Sequence, residues 1–423
     1  MRGALRGTRG KLGEPTARRG LEAPAILRTW SIYEQSMSNL LFAIGVIVVI
    51  FTGASVLFTI VLPREPKGFQ RVSTFVLRVV QLGFIGLSRS ARSYEGKDTL
   101  LAPTAPVALV AQLAFWAGCF IVGFALMLER TTHSLVSALT QATGAVFTVG
   151  TINLSGRPNR AVDIAAGATW VVIVALQIAY LPALYQAFNR RESLVAMLES
   201  RAGVPAWGPE VLARHQLVGI IDALPEFYAS WEGWSAELAE SHTTYPVMLL
   251  FRSPDPWFSW LVGLLAVLDG AAMHLALAPG TASSQSRLCL RMGFTALNRV
   301  AKVLRWEVDP DPDPEGDINL TFEEFAEAAS MLEKVGFPLE RSAEEAWPDF
   351  RGWRVNYETV AYRLCDYLTA PPAPWSGSRR HLRSGVVAPR RPPQRAPSVL
   401  EKHRPEVVIP ATGHRREASR RIE

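Results

Sequence analysis

Three long runs without a charged side chain dominate the chain: Leu40–Leu62, Thr104–Leu128 and Ile164–Phe188, of 23, 25 and 25 residues. A helix rises about 1.5 Å per residue, so about 20 such residues cross the roughly 30 Å of a bilayer's hydrocarbon core. Each run is therefore predicted to be a transmembrane helix. The first is too long and too far along the chain for a signal peptide of ordinary design. Pro63-Arg64-Glu65 follows it, where small residues would mark a cleavage site. Trp257–Ala278 is nearly as apolar but contains Asp269 and His274. A mid-span aspartate costs about 2.5–3.5 kcal/mol on insertion, so this segment reads as a buried helix of a soluble domain. Val72–Ser88 is shorter and carries Arg78. Its apolar positions Phe75, Val76, Val79, Val80, Phe84 and Leu87 follow a helical stripe, which predicts an amphipathic helix at the membrane surface.

Beyond Arg190 the pattern is helical throughout. Ser193–Arg201 continues from the third run, Pro209–Leu224 is amphipathic, and Trp231 and Trp234 read as packing anchors. Ser284–Leu304 alternates Arg287, Arg291, Arg299 and Lys302 with apolar residues on a helical period. Thr321-Phe322-Glu323-Glu324 has the form of a capping box opening Phe322–Val335. Tyr357–Thr369 is the last predicted helix, stopped by Pro371-Pro372.

Charge divides the chain of 423 residues unevenly. Residues 371–423 carry 12 Lys/Arg against 4 Asp/Glu, and residues 1–36 carry 7 against 3, so the middle of this net +6 chain is acidic by six. Basicity confined to the tails argues against a folded nucleic-acid-binding face, and no nucleic-acid partner is expected. The connection 63–103 holds Arg64, Lys67, Arg71, Arg78, Arg89, Arg92 and Lys97, whereas 129–163 holds Arg130, Arg157 and Arg160. An excess of Lys/Arg marks the cytoplasmic side, which places 63–103 and everything after Arg190 inside. Three spans then put the N-terminus outside, against the seven basic residues there. Either Val72–Ser88 spans as well, or residues 1–36 are not native and Met37 is the true start; the absence of sustained apolar periodicity in 1–36 favours the second. Residues 371–423, rich in Pro, Arg and Ser, are expected to be disordered.

Between the second and third runs lies His133–Asn153, a short apolar helix-like stretch to Val146 and then Thr148-Val149-Gly150. Such a helix is too short to cross a bilayer, and its length suits a re-entrant helix. Non-helical backbone at membrane depth is tolerated where it lines a water-filled cavity. Span, short helix, T-V-G, span resembles the pore module of bacterial potassium-channel-like membrane proteins. Leu184–Glu192 resembles the exit of their inner helix, and Ser55–Pro63 their additional N-terminal span. The resemblance covers about residues 37–195. It implies a filter whose backbone carbonyls replace the hydration shell of a potassium or other monovalent cation, at Thr148, Val149, Gly150 and Thr151. It also implies a gate or hinge on the inner helix, at Gly167, Pro182 and Tyr185 with Tyr180 nearby, and assembly of four copies around the pore.

The family's T-V-G-Y-G-D reads T-V-G-T-I-N here. Thr151 replaces the bracing Tyr, Ile152 a Gly that tolerates positive φ, and Asn153 the Asp of the outer mouth. A β-branched residue adopts that backbone only at a cost, so the inner rings are expected to form and the outer ones not.

Other chemistries have little support. Cys119, Cys289 and Cys365 form no CxxC pair and no zinc spacing. Asp311–Ile318 matches the start of a calcium loop, but Phe322 stands where a bidentate Glu is needed. No catalytic arrangement and no Gly-rich nucleotide turn stands out, so neither an enzyme nor a cofactor is expected. The chain is thus expected to be an all-α, multi-pass protein of the cell membrane. Its segments are 1–36, a first span with the surface helix (37–103), a pore module (104–190, with pore helix and filter at 133–153), a helical cytoplasmic domain (191–370) and a basic tail (371–423). It is expected to act in the bilayer as a homotetrameric cation channel subunit, or as a non-conducting pore-fold scaffold or sensor whose cytoplasmic domain binds a partner.

Overall fold

The structure, a computed structural model of the chain, describes residues 25–61, 70–147 and 160–377. Among them every regular element is helical. Helices α1 (Ala25–Ile60), α4 (Thr104–Thr132) and α6 (Arg160–Ala202) contain the three long apolar runs. Between them come α2 (Gln70–Ser88), α3 (Tyr94–Leu101) and α5 (Leu135–Val146). The remainder comprises α7 (Gly208–Val218), α8 (Leu224–Thr244), α9 (Trp260–Leu277), α10 (Ser284–Val303), α11 (Phe322–Lys334), α12 (Ala343–Arg354) and α13 (Glu358–Leu368). Among the described residues four helices are long and apolar enough to cross a membrane by length and composition: α1, α4 extended by α3, α6 and α9.

Two expectations change. Helix α1 starts at Ala25, so residues 25–36 are helical rather than irregular; Ala25, Leu27, Arg28, Glu34 and Gln35 are good helix formers, and propensity needs no apolar stripe. The expected tail also begins too early. Ala373, Trp375 and Ser376 are buried, and Trp375 packs on Trp207 and Phe350. The large ring gives this Pro-rich stretch apolar area to bury. Residues 378–423 and 1–24 lie outside the described part.

The chain divides into two compact units. One takes the chain to Ile50 with Cys119–Ala168. Here α1 and α4 approach closely at glycines: a Cβ on Gly123 would sit 2.8 Å from Val49 Cγ2 and 3.2 Å from the Gly45 carbonyl. Small residues let helix backbones pack where lipid supplies no hydrophobic drive. In the same unit Ser134 caps α5 by accepting from the Ser137 N–H at 3.5 Å.

The other unit takes Phe51–Gly118 with the chain from Thr169. Its centre is α9, every residue of which is buried, packed against α7, α8, α10, α12 and α13. Gly208 lets α7 meet α9, since a Cβ there would lie 3.0 Å from the Ala266 carbonyl. Helix α10 turns its apolar face inward, burying Cys289, Leu290, Leu297 and Val300, and leaves Arg287, Arg291, Arg299 and Lys302 exposed. Thr321 and Ser342 open α11 and α12 with full capping boxes. The amphipathic stretch expected over Pro209–Leu224 is shorter: α7 ends at Gly219, whose φ of 75° is left-handed, the usual glycine stop.

Candidate functional site

Helix α5 has 12 residues, far short of a crossing. Its far end delivers the chain to Thr148, Val149, Gly150 and Thr151, which lie outside the described residues, as do Ile152 and Asn153. What is described is how α5 is held. Gln141 Nε2 donates to both carboxylate oxygens of Asp163 at 2.9 Å. Asp163 is buried in the first turn of α6, where the positive end of the helix dipole favours an anion. Helix α5 is thus tied to the start of α6 by a charge-assisted bond. Leu135, Val136 and Leu139 of α5 and Ile164 of α6 are exposed in the single chain.

Helix α6 runs unbroken through Gly167 and Pro182. Pro182 removes the bond that the Ile178 carbonyl would accept and stands on the exposed face. Tyr180 is buried, edge-on to Tyr245 with centroids 5.4 Å apart. Tyr185 meets Phe188 and Phe251 edge-on. Pro182 and Tyr185 therefore share with Tyr180 a stretch whose aromatic side chains rest on Tyr245 and Phe251, the residues flanking the short 3-10 turn Pro246–Leu250, whereas Gly167 lies about four turns earlier in α6.

One turn further, α6 is locked by a buried arginine. Arg191 donates to the Met248 and Phe251 carbonyls at 2.9 and 2.8 Å and pairs with Glu192. Its guanidinium lies over the Phe188 and Trp260 rings. Arg191 Nη1 is 3.2 Å from His242 Nε2, while His242 Nδ1 is 3.0 Å from the Leu238 carbonyl. Burial, then the Arg191 charge, holds the His242 imidazole well below its usual range. It is therefore neutral, donating from Nδ1 and accepting at Nε2. Trp234 completes the joint by donating from its indole N–H to the Arg191 carbonyl at 3.0 Å.

A second arginine joins the connection 63–103 to the end of α13. Arg252 pairs with Asp98 of α3, donates to Tyr94 Oη at 2.8 Å, and reaches the Leu368 and Thr369 carbonyls at 2.8 and 3.0 Å. Gln81 of α2 donates to the Tyr367 carbonyl at 3.3 Å.

A third lies in the core. Arg354 pairs with Asp269 and Glu358 and donates to Tyr362 Oη and the Trp375 carbonyl, each at 2.9 Å. Asp269 also accepts from Tyr357 Oη at 2.8 Å. One guanidinium between two carboxylates leaves the cluster one negative charge in excess. Glu358 has further donors in Asn319 and the Leu320 N–H, so Arg354 and these bonds hold its carboxyl below the usual value despite burial. Asp269 has fewer, and burial pushes its carboxyl up to about 6. Sequence reading singled out Asp269 and His274 together; the structure gives them different partners. His274 Nε2 faces Thr281 Oγ1 at 3.4 Å, and burial lowers its imidazole to about 4. In the acidic loop, Asp309 and Asp313 each accept a backbone N–H two residues on. Among the described residues no group of three His, Cys, Asp or Glu side chains converges on a metal position.

No family model, no curated protein and no solved structure matches the chain.

Proposed function

We propose that the chain is a subunit of a potassium-channel-like cation channel, conducting passively across the cell membrane as a homotetramer. The observation that carries this reading is the order apolar α4, short capped α5, apolar α6, with Gln141 bonded to Asp163 so that α5 is anchored just ahead of Thr148-Val149-Gly150. A helix of this length suits a dip into the bilayer, and its dipole turns a partly negative end toward a cation. One chain supplies one quarter of such a filter, and closed symmetry supplies the rest. The exposed Leu135, Val136 and Leu139 suit a neighbouring subunit or lipid. Three spans, α1, α4 and α6, put the helical domain in the cytoplasm, with α9 as its core helix rather than a fourth span.

The test is cation flux from liposomes holding the purified protein. Gly150→Val abolishes flux without changing the melting temperature, because a branched side chain turns the carbonyl above the Thr148 ring away from the axis. Thr151→Tyr with Ile152→Gly sharpens potassium over sodium by rebuilding the outer rings. A wild-type flux that survives Gly150→Val contradicts the reading. The second reading, a non-conducting pore-fold scaffold or sensor, is favoured by Thr151-Ile152-Asn153. A silent wild type beside a conducting Tyr/Gly variant would select it.

A further inference from the structure

A cavity of about 540 Å³ opens between α2, the 3-10 turn Pro246–Leu250, the C-terminus of α10 and α13. Its volume falls within the range of small-molecule sites, about 300–1,000 Å³. Three arginines are among the residues that line it, Arg78 of α2, Arg305 after α10 and Arg363 of α13, and no lining residue is acidic. All three arginines are exposed, and none makes an ion pair among the described residues. Arg363 lies over the Trp306 ring at 4.1 Å, and Tyr367 meets that ring edge-on. Much of the remaining wall is apolar, Phe75 and Leu304 among it. Phe75 leads out of the cavity onto a stripe of α2 with Val79 and Leu82, all three more than half exposed.

Arg305 stands in an unusual place. Its φ is +60°, and it occupies the left-handed position of a Schellman stop. Trp306 N–H bonds the Ala301 carbonyl at 2.9 Å, and Arg305 N–H bonds the Lys302 carbonyl at 3.0 Å. Glycine is the usual residue there. A non-glycine residue in this conformation costs backbone energy, and here it lines a cavity shared with two further arginines, the kind of strained position that clusters at sites.

We infer that this cavity binds an anionic phospholipid, its phosphate held by Arg78, Arg305 and Arg363 and its acyl chains running along the Phe75–Val79–Leu82 stripe. Arginine suits a phosphate because its planar fork gives paired N–H donors. Trp and Tyr suit headgroup depth, where one edge is apolar and the other wet. A free phosphate would match the charge but leave the apolar wall and the stripe uncovered. The inference rests on α2 lying at the membrane surface and not on conduction.

The test is native mass spectrometry of the full chain purified in detergent, titrated separately with dioleoylphosphatidylglycerol, dioleoylphosphatidylcholine and glycerol phosphate. The expected result is preferential binding of phosphatidylglycerol. Arg305→Gly weakens it about fivefold, the effect of one basic residue near an anionic lipid surface, while the melting temperature holds or rises because glycine suits that backbone. Arg363→Gln added to it weakens binding further, and Arg287→Gln, exposed on the same α10, leaves it unchanged. Equal binding of the zwitterionic lipid overturns the proposal, as does wild-type affinity in the doubly substituted chain. Displacement of phosphatidylglycerol by glycerol phosphate at similar concentration also overturns it, in favour of a soluble phosphate ligand. The assay reads no current, so loss of lipid binding and loss of conduction are scored independently.

Discussion

Helices α6 and α9 both have the length and composition of a membrane span, yet only 17% of the most apolar stretch of α6 is buried within the protein, against all of α9. The difference lies in what surrounds them. Helix α9 is wrapped by helices such as α10, which bury an apolar face and turn arginines outward, and its one acidic residue is answered by Arg354. Helix α6 has no charge between Ile164 and Phe188 and presents Ile164, Val171, Val172 and Ile178 outward. An apolar helix therefore says that water must be excluded; its neighbours say whether protein or lipid excludes it. Arg191 marks the change along α6 itself, where a fully bonded buried cation follows directly on the apolar run.

This contrast is broken most severely at Arg354. Arg354→Ala leaves Asp269 and Glu358 buried without their cation and destabilises the helical domain by about 4 kcal/mol, read as a fall in the melting temperature of the purified protein. Leu265→Ala, in the middle of α9, costs about 3 kcal/mol through lost burial and a residual cavity. A much smaller loss would mean that α9 faces lipid rather than packed protein.

A titration sharpens the comparison further. The folded Asp269 carboxyl titrates near 6, above its unfolded value, so the folded chain holds a proton that the unfolded chain releases. Stability from this group is present at low pH and is lost as pH rises through about 4 to 6. Glu358, His242 and His274, all shifted down, slope the other way, so the useful quantity is wild type minus Asp269→Asn. That difference falls by about 1 kcal/mol between about pH 5 and about pH 7; a rising difference would place the Asp269 carboxyl below its ordinary value. Smallest of all is Ile178→Ala on the outward face of α6, expected to change stability by less than about 0.5 kcal/mol, because the side chain is exposed and its loss leaves no cavity within the chain. A cost comparable to that of Leu265→Ala would instead put Ile178 against protein.

Local signals were the legible ones. Uninterrupted apolar runs foretold the cores of α1, α4 and α6, the Phe75–Leu87 periodicity foretold α2, and the Thr321–Glu324 spacing foretold the start of α11. The single Asp269 in Trp257–Ala278 was enough to assign that helix to a packed core. Its partner was not legible, because Arg354 lies 85 residues away in sequence and nothing local distinguishes it from other arginines. The same holds for Arg252, which reaches α3 and the end of α13 together. Helix α12 was not foretold, although Ser342 and Glu345 form a capping box at its start and its internal Pro348 costs one bond. The packing of Trp375 was hidden by the prolines around it. Around α5, the sequence offered the T-V-G triplet and its flanking apolar runs, while the Gln141–Asp163 tie needed the fold to bring its two ends together.

The central claim is that this chain passes cations, and it is tested most directly by recording the purified wild-type protein in a planar bilayer under a KCl gradient. The account predicts discrete openings whose current reverses on the potassium side of zero. Silence from a preparation that cross-links as a tetramer and melts cooperatively, or reversal at the chloride equilibrium potential, would contradict it.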